Sequence, residues 1–288
     1  MWNYQICGEQ SHQFFFLDFV NDNKKKIAMA SSFGAGYNAP KEEQILDKYY
    51  INKFDYIGVR ENDGINICDK FFGVQADRVI DPVFICDNKV FHELANKVKL
   101  QDEMPFVAAY ILGASDRKLN IVRKVSEIKN SEMKIIENPN EPEVFNKLVG
   151  YKALNTPTVE EWLSYIENCE FFVGDSFHGL CFALIFNKQF LVAINSNIDG
   201  LQRFTTLLEM VGLQNRLFYV DKDDINKIDE IINDKIDYSI VNRIIERQSQ
   251  SSYDWLLNAI KSEKKYQTTE YDILLKRLDD RISELEDR

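Results

Sequence analysis

The residue best suited to chemistry in this sequence lies where a run of apolar residues ends. His178 follows the apolar run 171–174 and precedes a second apolar stretch that begins at Leu180. This pattern predicts a buried strand, a turn and the start of a helix, where backbone N–H groups attract anions. We therefore expect His178 to act as a general acid or base, although a structural histidine in the turn would give the same pattern.

Three neighbours of His178 are candidates for binding a substrate. Asp175 and Ser176 precede the histidine, and Gly179 follows it. We expect the N–H groups around Gly179 to hold negative charge on a ligand. We expect Asp175 to lie near the imidazole and to influence its protonation.

Arginines supply the other half of a possible anion site. Arg60 ends a predicted strand and is followed by Glu61, and Arg203 begins an amphipathic stretch. A guanidinium offers a fixed fork to a carboxylate or a phosphate, so we count Arg60 as catalytic and Glu61 and Arg203 as substrate-binding candidates. The alternatives are a salt bridge from Arg60 to Glu61, Asp63 or Asp81, and a solvated helix charge at Arg203.

Short apolar runs alternate with amphipathic stretches of helical length, which is typical of an α/β protein with parallel strands. The predicted strands are 26–32, 55–60, 78–81, 105–112, 133–137, 170–174 and 189–195. The predicted helices are 41–50, 64–72, 117–129, 159–168, 180–187 and a stretch around 240–260. Because open parallel sheets bind ligands at the carboxyl ends of their strands, the candidate residues would lie at such edges.

A mixed polar stretch between residues 85 and 104 interrupts this alternation, and we place a domain boundary there. The prediction is a partial Rossmann-like domain at 1–95, a second Rossmann-like domain at 96–262 and an amphipathic helical tail at 263–288. The tail favours a helix docked on its own domain, and a homodimer through it is the alternative. Its apolar residues form a seam about two heptads long, namely Tyr271, Leu275, Leu278, Ile282 and Leu285.

Composition argues against several classes of protein. The 288 residues include 35 Lys+Arg and 46 Asp+Glu, and the formal net charge of −11 disfavours nucleic-acid binding. No apolar run reaches the ~20 residues of a membrane-spanning helix, and the first residues do not resemble a signal peptide. Five widely spaced cysteines favour reduced thiols in the cytoplasm. The spacing of the three histidines predicts no metal site, and Gly34-x-Gly36 without a third glycine predicts no dinucleotide cofactor.

An ordered series of motifs resembles the polysaccharide pyruvyl transferase family. Each motif alone is weak, but the ordered set is specific, and the similarity covers most of positions 1 to 260. The motifs are Gly58-Val59-Arg60-Glu61-Asn62-Asp63-Gly64, Val79-Ile80-Asp81-Pro82-Val83-Phe84, Val159-Glu160-Glu161-Trp162-Leu163 and Gly174-Asp175-Ser176-Phe177-His178-Gly179-Leu180.

The resemblance implies a two-domain fold like that of GT-B glycosyltransferases. It also implies transfer of pyruvate from phosphoenolpyruvate to a sugar, forming a cyclic ketal during cell-surface polysaccharide synthesis. The family's acid/base histidine aligns with His178, and an arginine of its first domain aligns with Arg60. The partners would be phosphoenolpyruvate and a sugar acceptor, which can be linked to a lipid or a nucleotide. We expect His178 and Arg60 to face a gap between two sheets.

The sequence departs from the family pattern at its start. Family members usually have roughly a hundred further residues, of domain-half size, and Met1 falls where that segment ends. The first sheet would then lack its leading strands, which leaves open a fragment, a misassigned start codon or a degenerate copy. Two other functions also stay open: a GT-B nucleotide-sugar glycosyltransferase, and a truncated non-catalytic remnant that binds glycan or a partner enzyme.

Overall fold

Two parallel β-sheets organise the chain in this computed structural model, one in each of two units. The first unit comprises Met1–Val79 and Ser252–Arg288, and the second comprises Ile80–Ser251. The structure describes residues 2–3, 12–34, 36–100, 104–113, 115–136, 152–154, 156–267, 269–270, 272–274, 277 and 281.

The first unit has a parallel sheet of three strands among its described residues, in the order β1-β2-β3. The strands are β1 (Ile27–Ser31), β2 (Tyr56–Val59) and β3 (Asp77–Arg78). Helix α1 (Lys41–Ile51) connects β1 to β2. Helix α2 (Asn62–Ile67), continued by a π-helical turn at Cys68–Phe72, connects β2 to β3. Aromatic rings fill much of the core beneath these elements, including Trp2, Phe16, Phe33 and Phe72.

Residues after Ser252 complete the first unit. Trp255 Nε1 donates a hydrogen bond to Asp77 Oδ2 at 2.8 Å, and a Cβ at Gly58 would lie 3.0 Å from the Trp255 ring. Asp55 Oδ1 accepts a hydrogen bond from Tyr266 N at 2.8 Å. The first unit is therefore built from both ends of the chain.

The second unit has a parallel sheet of six strands among its described residues, in the order β6-β5-β4-β7-β8-β9. The chain thus starts in the middle of the sheet, moves to one edge and then returns to build the other. Loops that leave β4 and β7 therefore diverge, and ligands of such sheets bind at the carboxyl ends of this strand pair. The strands are β4 (Phe106–Tyr110), β5 (Glu132–Ile136), β6 (Lys152–Leu154), β7 (Phe171–Gly174), β8 (Gln189–Ile194) and β9 (Leu217–Tyr219).

Helices cover both faces of the second sheet, so its central strands are buried on both sides and are apolar throughout. One face packs against α3 (Asn88–Ala95), α5 (Val159–Asn168), α6 (Phe177–Ile185) and α7 (Leu201–Val211). The other packs against α4 (Asp116–Lys129) and α8 (Lys227–Asn233). Helix α9 (Tyr238–Lys261) runs from the second unit into the first. None of the helices in the described part of the chain combines the length and apolar character needed to cross a bilayer.

The structure confirms the predicted α/β class with two parallel sheets and a helical C-terminal part. The division of the chain differs from the expected one, because residues 80–95 belong to the second unit. The polar stretch that suggested a boundary contains α3, whose N-cap Asp87 accepts a hydrogen bond from Lys89 N and whose Ala95 is buried in the second unit's core. The tail residues Tyr271, Leu275, Leu278, Ile282 and Leu285 lie outside the described residues, so the seam and a dimer through it stay predictions.

Helix α5 begins with reciprocal hydrogen bonds between Thr158 and Glu161. Thr158 Oγ1 accepts a hydrogen bond from Glu161 N at 3.2 Å, and Glu161 Oε2 accepts one from Thr158 N at 2.8 Å. Both amides would otherwise lack a partner within the helix, so this capping box defines where α5 starts.

Replacing Thr158 with Ala should lower the free energy of unfolding by about 1 kcal/mol, because the amide of Glu161 loses its acceptor. Urea unfolding followed by far-ultraviolet circular dichroism measures the change. The control Thr158→Ser keeps the accepting oxygen and should keep most of the stability. Equal losses in the two variants would show that the hydroxyl does not act as a cap.

Candidate functional site

His178 lies in the first turn of α6, at the carboxyl end of β7. Its side chain is 53% exposed, and its Nε2 lies 3.7 Å from Oδ2 of Asp81. Asp81 is buried, and its Oδ1 accepts a hydrogen bond from Val83 N at 3.2 Å, which holds the carboxylate in place. An exposed imidazole beside a fixed carboxylate is an arrangement that can exchange protons with a ligand.

Phe177 lies near both His178 and a second functional candidate, Arg203. The Phe177 ring centroid is 5.5 Å from the His178 ring centroid and 5.9 Å from the guanidinium carbon of Arg203. Arg203 is in the first turn of α7, which follows β8, the strand next to β7 in the parallel sheet. The imidazole and the guanidinium therefore lie at neighbouring helix starts on one edge of the sheet.

Gly200 accommodates the side chain of Arg203. It has a φ of +79°, and a Cβ at this position would lie 2.5 Å from Arg203 Nη2. Arg203 Nε also donates a hydrogen bond to Gly200 O at 3.3 Å. The left-handed backbone favours glycine here, and the absence of a Cβ lets the guanidinium pack against it.

Ser176 and Gly179 form the start of α6 and contact each other there, while their contact with a ligand stays a prediction. Ser176 Oγ accepts a hydrogen bond from Gly179 N at 3.3 Å, which places the N–H that we expected to bind negative charge inside the cap. A Cβ at Gly179 would lie 3.0 Å from Cζ of Phe172 in β7. In the structure both residues position the helix that carries His178.

Asp175 also has partners other than the expected imidazole. Its Oδ2 lies 2.6 Å from Lys118 Nζ, and both side chains are buried. Its Oδ1 accepts a hydrogen bond from Leu112 N at 2.6 Å, and its Oδ2 accepts one from Gly113 N at 3.1 Å. The carboxylate thus connects the loop after β4 to the end of β7. Asp81, not Asp175, is the carboxylate in ion-pair contact with His178 among the described residues.

Sequence reasoning did not single out Lys118 or the role of Asp81. A lysine in an amphipathic helix is normally solvated, and no local pattern indicates that Lys118 is buried. Asp81 precedes Pro82, which indicates a turn without revealing which histidine lies nearby. The available signal for Asp81 was its position close after a strand, since β3 ends at Arg78.

Arg60 follows β2 in the first unit and contacts Glu61. Arg60 Nε donates a hydrogen bond to Glu61 Oε1 at 3.1 Å, and the Glu61 side chain is 1% exposed. Burial raises the pKa of the Glu61 carboxyl, and hydrogen bonds from Ser32 and Arg60 oppose that shift. Glu61 is therefore a buried partner that orients Arg60, as in the salt-bridge alternative, and its contact with substrate stays a prediction.

Arg60 and His178 belong to different units, and each lies after a strand of its own sheet. Within the described residues, no group of three His, Cys, Asp or Glu side chains is arranged to hold a metal ion. The second unit by itself brings an exposed imidazole, His178, and a guanidinium, Arg203, to within 5.9 Å of the centroid of the same ring, Phe177.

The sequence matches the model of the polysaccharide pyruvyl transferase family over residues 3–197. The match covers more than half of the chain and includes Arg60, Asp81 and His178. The chain therefore belongs to the polysaccharide pyruvyl transferase family, which confirms the resemblance seen in its motifs.

Similar solved structures include two UDP-GlcNAc 2-epimerases and the wall teichoic acid polymerase TagF. The epimerase from Neisseria meningitidis has 8% identity and a TM-score of 0.47, and the match covers 75% of this chain and 63% of the epimerase. The epimerase from Methanocaldococcus jannaschii has 12% identity and a TM-score of 0.47, with coverage of 79% and 71%. TagF has 10% identity and a TM-score of 0.38, with coverage of 83% and 71%. No curated protein matches the chain, so the family assignment rests on the sequence match.

The burial of Glu61 predicts how stability depends on pH. Because its pKa is raised above the ordinary 4.5, the folded chain holds this proton more strongly than the unfolded chain does. The contribution of Glu61 to stability is therefore greatest below the ordinary pKa and is lost as the pH rises through the folded pKa. Glu61→Gln removes this titration.

The unfolding free energy of the wild type relative to Glu61→Gln should fall across that interval and become level above it. Chemical denaturation between about pH 4 and pH 8 measures the difference. A difference that does not change with pH, or that grows as pH rises, would contradict the assignment.

Proposed function

We propose that this protein transfers a pyruvyl group from phosphoenolpyruvate to a sugar, forming a cyclic ketal during synthesis of a cell-surface polysaccharide. The observation that carries the proposal is the family match over residues 3–197, which contains His178 in an exposed helix start beside Asp81. We propose the cytoplasm as its compartment, from the cysteine pattern of the sequence. The acceptor sugar can be linked to a lipid or a nucleotide.

His178 is the proposed proton-transfer residue. Protonation of the methylene carbon of phosphoenolpyruvate makes the neighbouring carbon electrophilic, and a sugar hydroxyl attacks it. Inorganic phosphate then leaves, and a second hydroxyl closes the ketal, so the two hydroxyl protons pass to a base and to phosphate. One imidazole can supply the first proton and accept a later one. The buried carboxylate of Asp81 lies 3.7 Å from Nε2 of this ring.

Arg203 and Arg60 are the proposed contacts for the donor's negative charges. Phosphoenolpyruvate carries a carboxylate and a phosphate, and a guanidinium can bind either with paired hydrogen bonds. Arg203 is supported by its place beside Phe177, at the helix start next to the one that carries His178. Arg60 is supported by its alignment with the family's arginine and by Glu61, which orients it.

The deciding experiment incubates the protein with phosphoenolpyruvate and a panel of sugar acceptors. The proposal expects phosphate release that requires an acceptor, together with a quaternary ketal carbon in the ¹³C spectrum of the product made from labelled phosphoenolpyruvate. A parallel panel of nucleotide sugars tests the glycosyltransferase alternative. Turnover of a nucleotide sugar without turnover of phosphoenolpyruvate would refute pyruvyl transfer.

His178→Ala should lower kcat for phosphoenolpyruvate by about 10² to 10⁴, because the reaction loses its acid. Acceptor-dependent phosphate release measures the rate. The matched control is His92→Ala. His92 lies in α3, pairs with Glu167 and has no role in the proposed mechanism. Full turnover by His178→Ala would remove His178 from the mechanism.

Arg203→Ala should raise KM for phosphoenolpyruvate about 10- to 100-fold with a smaller effect on kcat. Hydrogen bonds to a charged group contribute about 1.5–3 kcal/mol, and about 1.4 kcal/mol corresponds to tenfold in affinity. The control Arg123→Ala removes an exposed arginine of α4 that contacts Asn120. An unchanged KM in Arg203→Ala would assign this guanidinium to packing on Phe177 alone.

A further inference from the structure

A carboxylate of the protein itself closes the crevice between the loops after β4 and β7 in the second unit. Asp175 N donates a hydrogen bond to Tyr110 O at 3.2 Å, so the strand ladder continues to this residue and fixes its backbone. Its side chain then crosses to the other loop, where it accepts the hydrogen bonds from Leu112 N and Gly113 N. Asp175 thus occupies the position where the loops of such a sheet diverge.

The donors around Asp175 are those that bind an anionic ligand in other sheets of this kind. Two successive backbone N–H groups and one ammonium group converge on a single carboxylate. Lys118 is held in this direction, since its Nζ also donates to Gly113 O at 2.7 Å. Successive N–H groups with a cation form a typical cradle for phosphate.

The low exposure of Asp175 and Lys118 shows that these donors are occupied by a carboxylate of the protein and are closed to solvent. The side chains of Asp175 and Lys118 are 3% and 5% exposed. Asp175 is tethered at the end of β7, so it competes with any free anion as an intramolecular partner at high effective concentration. A dissolved phosphate would have to displace a desolvated and fully hydrogen-bonded carboxylate.

We infer that Asp175 is an internal anion that fills the ligand position of the second sheet and excludes phosphate and nucleotide diphosphates from it. Asp175 is then a specificity-determining residue, because the crevice that holds a diphosphate in many doubly wound sheets is closed here. The inference does not depend on pyruvyl transfer. It agrees with a donor that carries no nucleotide.

The test is gain of binding when the internal carboxylate is removed. Asp175→Ala leaves the two N–H groups and Lys118 in place, so it should bind inorganic phosphate or pyrophosphate at a new site. At a phosphate concentration a hundred times Kd, its melting temperature should rise by about 5–10 °C. Chloride at equal ionic strength controls for general salt effects, and isothermal titration calorimetry counts the sites.

Two further variants identify the new site. Asp175→Ala combined with Lys118→Met should lose the added binding, because the ammonium donor is gone. Asp229→Ala removes an exposed aspartate that pairs with Lys124 in the same unit, and it should gain no phosphate site. Phosphate bound equally by the wild type and all variants would belong to the proposed donor site, so the two proposals can fail separately.

Three results would overturn the inference. The first is a folded Asp175→Ala that gains no phosphate or pyrophosphate binding, and the second is a gain that persists without Lys118. The third is phosphate binding by the wild type that Lys118→Met abolishes. If Asp175→Ala does not fold in chloride, adding formate or phosphate should restore folding, seen as a cooperative unfolding transition. If no anion restores folding, the inference is rejected as well.

Discussion

The close approach of α6 to β7 is the constraint on which the geometry of the second unit's edge depends. Gly179 allows this approach, since any side chain there would press on the ring of Phe172. Ser176 caps the helix at the same point. Together they fix where α6 begins, and therefore where the exposed imidazole of His178 stands relative to Asp81.

Charged groups in this acidic chain fall into two kinds. Lys118 with Asp175 and Arg60 with Glu61 are paired with a buried carboxylate, and these pairs hold loops and side chains in place. His178 also has a buried carboxylate beside it, Asp81, but its own side chain is half exposed. With a net charge of −11 the chain as a whole repels anions, so binding of an anionic donor depends on a few positioned cations.

Local patterns predicted what local forces determine. The α/β class, the strand that ends at Gly174, the helix at 159–168 and the position of His178 at a helix start all follow from apolar periodicity. The partners of Asp175 and Asp81 did not, because Leu112, Lys118 and His178 reach them only through tertiary folding. The predicted boundary at residue 95 was placed in a polar stretch that in fact contains α3. Most residues of this helix are not buried, and Ala95 is the one that enters the core.

Helix α9 has a consequence for how the chain acquires its structure during synthesis. The first unit needs residues from Ser252 onward, including Trp255 and Tyr266, which hydrogen-bond to Asp77 and Asp55. The ribosome releases these residues only after the whole of the second unit has been made. The strands of the first unit are therefore synthesised first but stay without these packing partners until Trp255 and Tyr266 have been made.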